Sequence, residues 1–257
     1  MWNGDPDYWP KHSPLLFPIV GELKDKTYEY KGRSYNMSRH GFAREKMFLI
    51  REANPVEVTF LLQSSADTYA VYPFDFELLV FYALKEERLT VRYEVKNKSR
   101  NSMLFSIGAH PAFAVPLEIT NQFNDYYLQF NSIENAPRWP IVEGGLISKL
   151  PVPFFTDADQ LPLTKELFAN DALVFKDLKS TIVSLRSINS KHGIDFSIEG
   201  FPYLGIWSTK NANFVCIEPW IGIADSEDSN QQFAEKEGIY HLDAGASFSA
   251  SWSIRMF

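Results

Sequence analysis

The sequence contains a single cysteine, Cys216, among 257 residues. One thiol excludes an intrachain disulfide, so nothing in the cysteine content points to an oxidising compartment. From this we expect a reduced, cytoplasmic protein in which Cys216 is a small buried hydrophobe.

Positive charge is also scarce, because the sequence has 25 Lys and Arg but 32 Asp and Glu, which gives a net charge of −7. No run of basic residues offers a surface for a nucleic-acid backbone or an anionic membrane. The N-terminal residues lack the basic and apolar regions of a signal peptide, and the apolar runs are too short to cross a bilayer. We therefore expect no nucleic-acid partner and no membrane insertion.

Familiar catalytic motifs are missing as well. The sequence has no G-x-S-x-G elbow, no H-E-x-x-H zinc motif and no G-x-x-x-x-G-K phosphate loop, which disfavours the hydrolases, metalloproteases and nucleotide-binding proteins built on them. Helical periodicity is weak, with 163–168 and 231–236 as its best candidates. A parallel sheet with crossover helices is therefore disfavoured.

Alternation of apolar and polar residues is abundant instead. Leu89 to Val95 and Phe248 to Met256 alternate cleanly, which is typical of half-buried strands. Eight similar runs are separated by turn residues: 56–62, 74–83, 103–107, 126–130, 181–186, 194–198, 204–207 and 214–217. This density predicts one all-β domain over residues 1–257, a sandwich or barrel. The proline-rich stretch 131–162 is interpreted as a long structural loop, with the rim of a site as the alternative.

Two residues stand out as candidates for acid-base chemistry. His110 follows small residues and precedes Pro111, which forces an extended backbone; it is either a hydrogen-bonded core histidine or an acid-base group. Glu218 ends an apolar strand just before Pro219. It is either a structural carboxylate or a group whose pKa is raised by burial toward the range of a general base.

Four sequence blocks occur in the order Leu16 to Gly21, His40 to Arg44, Gly108 to Phe113 and Cys216 to Trp220. With the blocks 168–173 and 203–207, they resemble the galactose-mutarotase-like aldose 1-epimerases, and most of all their LacX-like bacterial branch. The resemblance covers nearly the whole chain and implies a large antiparallel β-sandwich.

The resemblance also implies a site and a reaction. His110 would be the general acid and Glu218 the general base that open and reclose the ring of a small-molecule aldose, with neither metal nor organic cofactor. His40 and Asp171 would contact sugar hydroxyls, and Arg44 would either contact the sugar or brace the site. Two such acid-base groups contribute roughly 10²- to 10⁴-fold each.

Two departures from the family pattern lead to further expectations. Relatives carry several strands before the segment matching Trp2 to Tyr8, so the sandwich is expected to lack N-terminal strands and to pair as a homodimer through an uncovered edge. Glu22 replaces an arginine of some relatives, which disfavours anionic sugars such as hexose phosphates.

Two other functions remain open. One is a carbohydrate-binding or sensor protein that keeps the pocket without turnover. The other is a glycosidase or lyase that uses Glu218 with Asp171 as paired carboxylates. The presence of both His110 and Glu218 favours the epimerase.

Overall fold

Strands are the main secondary structure of the computed structural model, which describes residues 1–257. They are β1 (Leu15–Leu16), β2 (Thr27–Tyr30), β3 (Arg33–Asn36), β4 (Leu49–Ala53), β5 (Glu57–Gln63), β6 (Phe76–Lys85), β7 (Arg88–Asn97), β8 (Met103–Phe105), β9 (Ile107–Ala109), β10 (Ala112–Ala114), β11 (Tyr126–Glu134), β12 (Ile141–Val142), β13 (Leu146–Ile147), β14 (Ala158–Pro162), β15 (Leu173–Lys176), β16 (Ile182–Ser187), β17 (Ile194–Ser197), β18 (Tyr203–Trp207), β19 (Phe214–Ile221), β20 (Tyr240–Leu242) and β21 (Ser247–Met256). Nine of the ten sequence-predicted strands correspond to one strand each, and the run 103–107 is divided between β8 and β9.

These strands form two large antiparallel sheets. The larger has nine strands in the order β14-β11-β16-β17-β21-β7-β6-β5-β4, and the smaller has the order β1-β9-β19-β18-β15 with β10 also paired to β19. Three short two-stranded ribbons complete the set: β2 with β3, β8 with β20, and β12 with β13. The predicted antiparallel β-sandwich is confirmed.

The core lies between the two large sheets. A single cluster of 48 buried apolar residues draws side chains from both of them. Phe113 of the smaller sheet and Phe196 of the larger one, for example, meet edge to face with ring centroids 5.8 Å apart. Burial of apolar area at this scale is the main source of stability in such a fold.

The central strands β7 and β21 show why the sequence pattern was readable. Val91, Tyr93 and Val95 are buried, whereas the residues between them are partly exposed. Trp252 of β21 lies opposite Val91, and its indole N–H donates to the Tyr93 hydroxyl at 2.8 Å. Alternation thus follows directly from one face packing on the core.

Helices are short. The one α-helix, α1 (Ala66–Val71), is capped by Ser65, whose hydroxyl accepts the Thr68 N–H. The two predicted helical stretches are single 3₁₀ turns at Lys165–Phe168 and Phe233–Glu235, and four more such turns lie at Lys24–Lys26, Ala43–Glu45, Phe123–Asp125 and Glu143–Gly145. None of these helices has the length and hydropathy that crossing a membrane requires.

The stretch 131–162 is less of a loop than the sequence suggested. Its first residues continue β11 to Glu134, the ribbon of β12 and β13 folds back within it, and β14 forms an edge of the larger sheet. Prolines are compatible with such an edge, because a strand there needs fewer backbone donors.

At the other edge of the larger sheet, all five residues of β4 are exposed. Leu49 and Ile50 retain 65% and 66% of their accessible surface. The homodimer stays a prediction, as does the absence of N-terminal strands.

Candidate active site

Strand β19 separates the core from a cavity on the outer face of the smaller sheet. Val215 and Ile217 point into the 48-residue core, while Glu218 and Trp220 line the cavity. Cys216, on the same face as these two, is fully buried in a small aromatic cluster, as the sequence predicted. The period of two along the strand thus places Glu218 on the cavity side.

Two glycines make room for the indole of Trp220. A β-carbon on Gly205 would lie 2.4 Å from the Trp220 ring, and one on Gly108 would lie 2.7 Å from it. Because any side chain at these positions would displace the ring, glycines on the flanking strands β9 and β18 keep Trp220 flat against the sheet.

The cavity measures about 490 Å³ and brings the sequence-predicted residues together. Its wall includes all five of them: His40, Arg44, His110, Asp171 and Glu218. The stretch 131–162 contributes Ile141, Gly145 and Ile147 to the same wall. The alternative interpretation of this stretch, as the rim of a site, therefore describes part of it.

At the floor of the cavity, His110 and Glu218 form a buried pair. Nε2 of His110 lies 3.3 Å from Oε1 of Glu218, and the two side chains are 9% and 2% exposed. Burial lowers the pKa of His110 to about 3 and raises the pKa of Glu218 well above its ordinary range. Both shifts favour the neutral forms, a protonated Glu218 beside an uncharged imidazole.

The raised pKa of Glu218 agrees with the sequence-based expectation. Burial also removes the hydration of an imidazolium, so it disfavours the protonated form of His110 that the acid role uses. The second oxygen of Glu218, Oε2, has no protein hydrogen bond of normal geometry, although buried polar atoms are normally satisfied. The indole N–H of Trp220 is directed at Glu218 and opposes part of the rise in its pKa.

His40 presents a hydrogen-bond donor to the cavity. Its Nδ1 accepts the backbone N–H of Gly21 at 3.0 Å, which leaves the ring proton of the neutral imidazole on Nε2. Burial lowers the pKa of His40 well below its usual value, and the positive charges of Arg44 and Arg39 lower it further. His40 is therefore neutral, with a fixed tautomer.

Asp171 and Arg44 complete the predicted set. Asp171 is exposed at the cavity wall, and its Oδ1 accepts the N–H of Ala172 at 2.8 Å, which leaves Oδ2 free to accept from a ligand hydroxyl. Arg44 donates from Nη2 to the carbonyl of Arg39 at 2.7 Å. Of the two alternatives for Arg44, this contact is a bracing one, although its side chain also lines the cavity.

Comparisons with known proteins agree with this geometry. A sequence profile described as aldose 1-epimerase matches residues 1–227. The chain belongs to the aldose 1-epimerase family. It is 34% identical over 249 residues to the chromosomal protein LacX of Lactococcus lactis subsp. lactis, covering 93% of this chain and 83% of that protein.

Two solved structures in this family superpose closely. The galactose mutarotase related enzyme of Lactobacillus acidophilus has a TM-score of 0.93 at 36% identity, with 100% of this chain and 86% of that chain covered. A galactose mutarotase-like protein of Lactobacillus casei also has a TM-score of 0.93, at 31% identity, with 100% and 88% covered. The suspected resemblance to the LacX-like branch is confirmed.

Several cavity residues of this family member were not found from the sequence. Trp9 stacks on the His110 ring at 4.8 Å between centroids, and Trp207 meets the same ring edge to face at 5.7 Å. Arg39 and Lys210 add positive charge to the wall. Strand alternation could have revealed Trp220 beside Glu218, but no local signal reveals Trp9 or Arg39, which lie in loops.

One group of side chains has the composition of a metal site. Potential ligand atoms of His110, Cys216 and Glu218 lie within 4.8 Å of one another, and all three residues are buried. Burial raises the pKa of both Cys216 and Glu218. It therefore favours their protonated forms, whereas metal ligation needs the thiolate and the carboxylate.

Proposed function

We propose that the protein is an aldose 1-epimerase that interconverts the α and β anomers of an aldose. The observation that carries the proposal is the buried pair of His110 and Glu218, 3.3 Å apart at the floor of a 490 Å³ cavity. Membership of the family supports it, as does the ring of hydroxyl-binding groups around the pair, namely the Nε2–H of His40 and the free oxygen of Asp171.

In the proposed reaction, the single proton of the pair moves between the two groups. The reaction starts from the minor form in which this proton lies on His110, and the Glu218 carboxylate of that form takes the proton of the anomeric hydroxyl. The imidazolium gives its proton to the ring oxygen as the bond from C1 to that oxygen breaks. The open-chain aldehyde rotates about C1–C2, and the reverse transfers close the other anomer.

The pKa directions support this sequence of steps. After ring opening, Glu218 is protonated and His110 is neutral, which is the state that burial favours. The site thereby stabilises the open-chain complex relative to the same pair in water. No proton from solvent is needed, because the pair regains its starting state when the ring closes.

The test is anomer exchange measured by NMR magnetisation transfer on a panel of free and phosphorylated aldoses. We expect acceleration of at least one sugar, and a loss of at least about 100-fold in Glu218→Gln, the lower range for one acid-base group. Glu86→Gln, in the exposed turn between β6 and β7, is the matched control and should exchange at the full rate.

Two results would contradict the proposal. Sugar binding without exchange on any aldose would support the alternative, a non-catalytic carbohydrate-binding or sensor protein. Exchange that is as fast in Glu218→Gln as in the unmodified protein would remove Glu218 from the reaction.

A further inference from the structure

Arg39 lines the cavity but has no part in the acid-base steps above. It immediately precedes His40, and its side chain is 41% exposed. Its positive charge acts on Glu218 and on His40, where it counters part of the rise in the Glu218 pKa and adds to the fall in the His40 pKa. The guanidinium therefore lies near the reacting groups.

Contacts on two sides hold this guanidinium in place. Nε lies 3.6 Å from Oε2 of Glu22, whose side chain is 10% exposed. A β-carbon on Gly145 would lie 1.7 Å from Nη2 of Arg39 and 2.8 Å from its Cζ, so the absence of a side chain at Gly145 makes room for the guanidinium in this position. The carbonyl of Arg39 is held by Arg44 at 2.7 Å.

The N–H groups of Arg39 are free for a ligand. Its one ionic contact involves Nε, and the guanidinium makes no hydrogen bond within the protein, so the terminal nitrogens Nη1 and Nη2 have donors left over. A guanidinium held at a fixed angle loses little entropy when it binds, and its charge-assisted hydrogen bonds are stronger than neutral ones. Sugar hydroxyl oxygens are suitable acceptors for such donors.

Charge on the wall decides which sugars suit the cavity. Glu22, 3.6 Å from Nε of Arg39, offsets part of its charge, and the carboxylate of Asp171 lies on the same wall as Arg44 and Lys210. Lys210 is exposed, so solvent screens it. A phosphate group carries a charge of about −1.5 to −2, and both Glu22 and Asp171 would oppose it.

We propose that Arg39 is a specificity-determining residue that donates hydrogen bonds to hydroxyls of an uncharged aldose, and that Glu22 behind it lowers the affinity for aldose phosphates. This inference rests on the proposed function for its substrate class. It assigns Glu22 an indirect effect, because the acidic side chain reaches the cavity through Arg39 rather than by facing the sugar.

Binding and turnover are measured separately to test it. Calorimetric affinities for glucose, galactose and their 6-phosphates are compared among the unmodified protein, Arg39→Lys, Glu22→Gln and the control Arg51→Lys, whose residue is exposed on β4. We expect Arg39→Lys to weaken binding of the neutral sugar about tenfold or more, since a single ammonium group cannot reproduce the planar pair of guanidinium donors, and to raise KM much more than it lowers kcat. Glu22→Gln should shift the affinity ratio toward the phosphate by about tenfold.

Gly145→Ala provides an independent measurement, since the added methyl group displaces the Arg39 guanidinium without removing it. It should weaken binding in the unmodified protein and have a much smaller effect in the Arg39→Lys background, where the displaced group is absent. If Gly145→Ala does not fold, because its φ of 80° favours glycine, the Arg39 and Glu22 variants decide alone.

The proposal is overturned if Arg39→Lys binds neutral aldoses as the unmodified protein does, or if Glu22→Gln leaves the ratio unchanged. If instead the proposed function is wrong, the protein shows no anomer exchange, but its affinity for sugars still decreases in Arg39→Lys.

Discussion

The buried ion pair of Lys236 and Asp225 should be one of the most sensitive points of the fold. Nζ of Lys236 donates to Oδ1 of Asp225 at 2.8 Å and to the carbonyl of Ile223 at 2.6 Å, and both side chains are 3% exposed. Asp225 also accepts the N–H of Lys24 and carries backbone contacts to Glu22 and Ile147. The pair thus anchors the segment that brings Ala224 to the cavity wall.

Lys236→Met removes one partner and leaves a buried carboxylate without its counter-charge. Breaking a buried pair in this way costs about 3–5 kcal/mol, whereas an exposed pair is worth about 0–1 kcal/mol. Because Lys236 also satisfies the Ile223 carbonyl, we expect a decrease of about 3 kcal/mol or more in the free energy of unfolding. Adding Asp225→Asn to Lys236→Met should recover part of the loss, since the buried charge is removed while an acceptor for Lys24 remains.

Urea unfolding followed by tryptophan fluorescence measures both variants, with Lys85→Met at the exposed end of β6 as the matched control. A decrease below about 1 kcal/mol in Lys236→Met, or a double variant less stable than the single one, would refute the reasoning.

Three other predictions concern the site and its support. The value of kcat/KM should stay level from about pH 7 down to about pH 5, because His110, with its pKa lowered to about 3, is not protonated further in that range. On the alkaline side kcat/KM should fall as Glu218 loses the proton that the pair shares. A loss of rate through the ordinary histidine range near 6.5 would argue against the neutral pair. Trp9→Leu should reduce kcat/KM by up to about tenfold, since aromatic stacking of Trp9 on His110 is worth about 0.5–1.5 kcal/mol. An unchanged kcat/KM would show that Trp9 does not position the His110 ring. Gly41→Ala should lower the free energy of unfolding in urea by at least about 1–3 kcal/mol. The reason is that φ at Gly41 is 72° and the new β-carbon would lie 2.3 Å from the Phe17 carbonyl oxygen. Stability within error of the unmodified protein would contradict this geometry.

Strand positions were predictable wherever one face of a strand is buried and the other is not. The run 89–95 corresponds to β7 at Arg88–Asn97, and 248–256 corresponds to β21 at Ser247–Met256. Helix α1 was missed because six residues are too few for a helical period to show, and because its cap pairs Ser65 with Thr68 rather than with the Glu or Gln of the usual capping box. Weak periodicity at 163–168 and 231–236 reflected single 3₁₀ turns.

The site was predictable only in part, since its geometry depends on contacts between distant segments. The family resemblance predicted that His40, His110 and Glu218 belong to one site, and in the structure all three line one cavity. The position of Arg39 between Glu22 and Gly145 depends on two loops and a 3₁₀ turn that are far apart in the sequence, so no local pattern reveals it. The lowered pKa of His110 likewise depends on the depth of burial, which the fold decides.

The measurement that tests the central claim most directly is the anomer exchange rate of one bound aldose, measured in the same samples as its affinity. We predict acceleration by the unmodified protein, with Glu218→Gln and His110→Asn each retaining sugar binding while losing at least about 100-fold in rate. A protein that binds the aldose at the His110 and Glu218 cavity but leaves its anomer exchange at the rate of free solution would contradict the account.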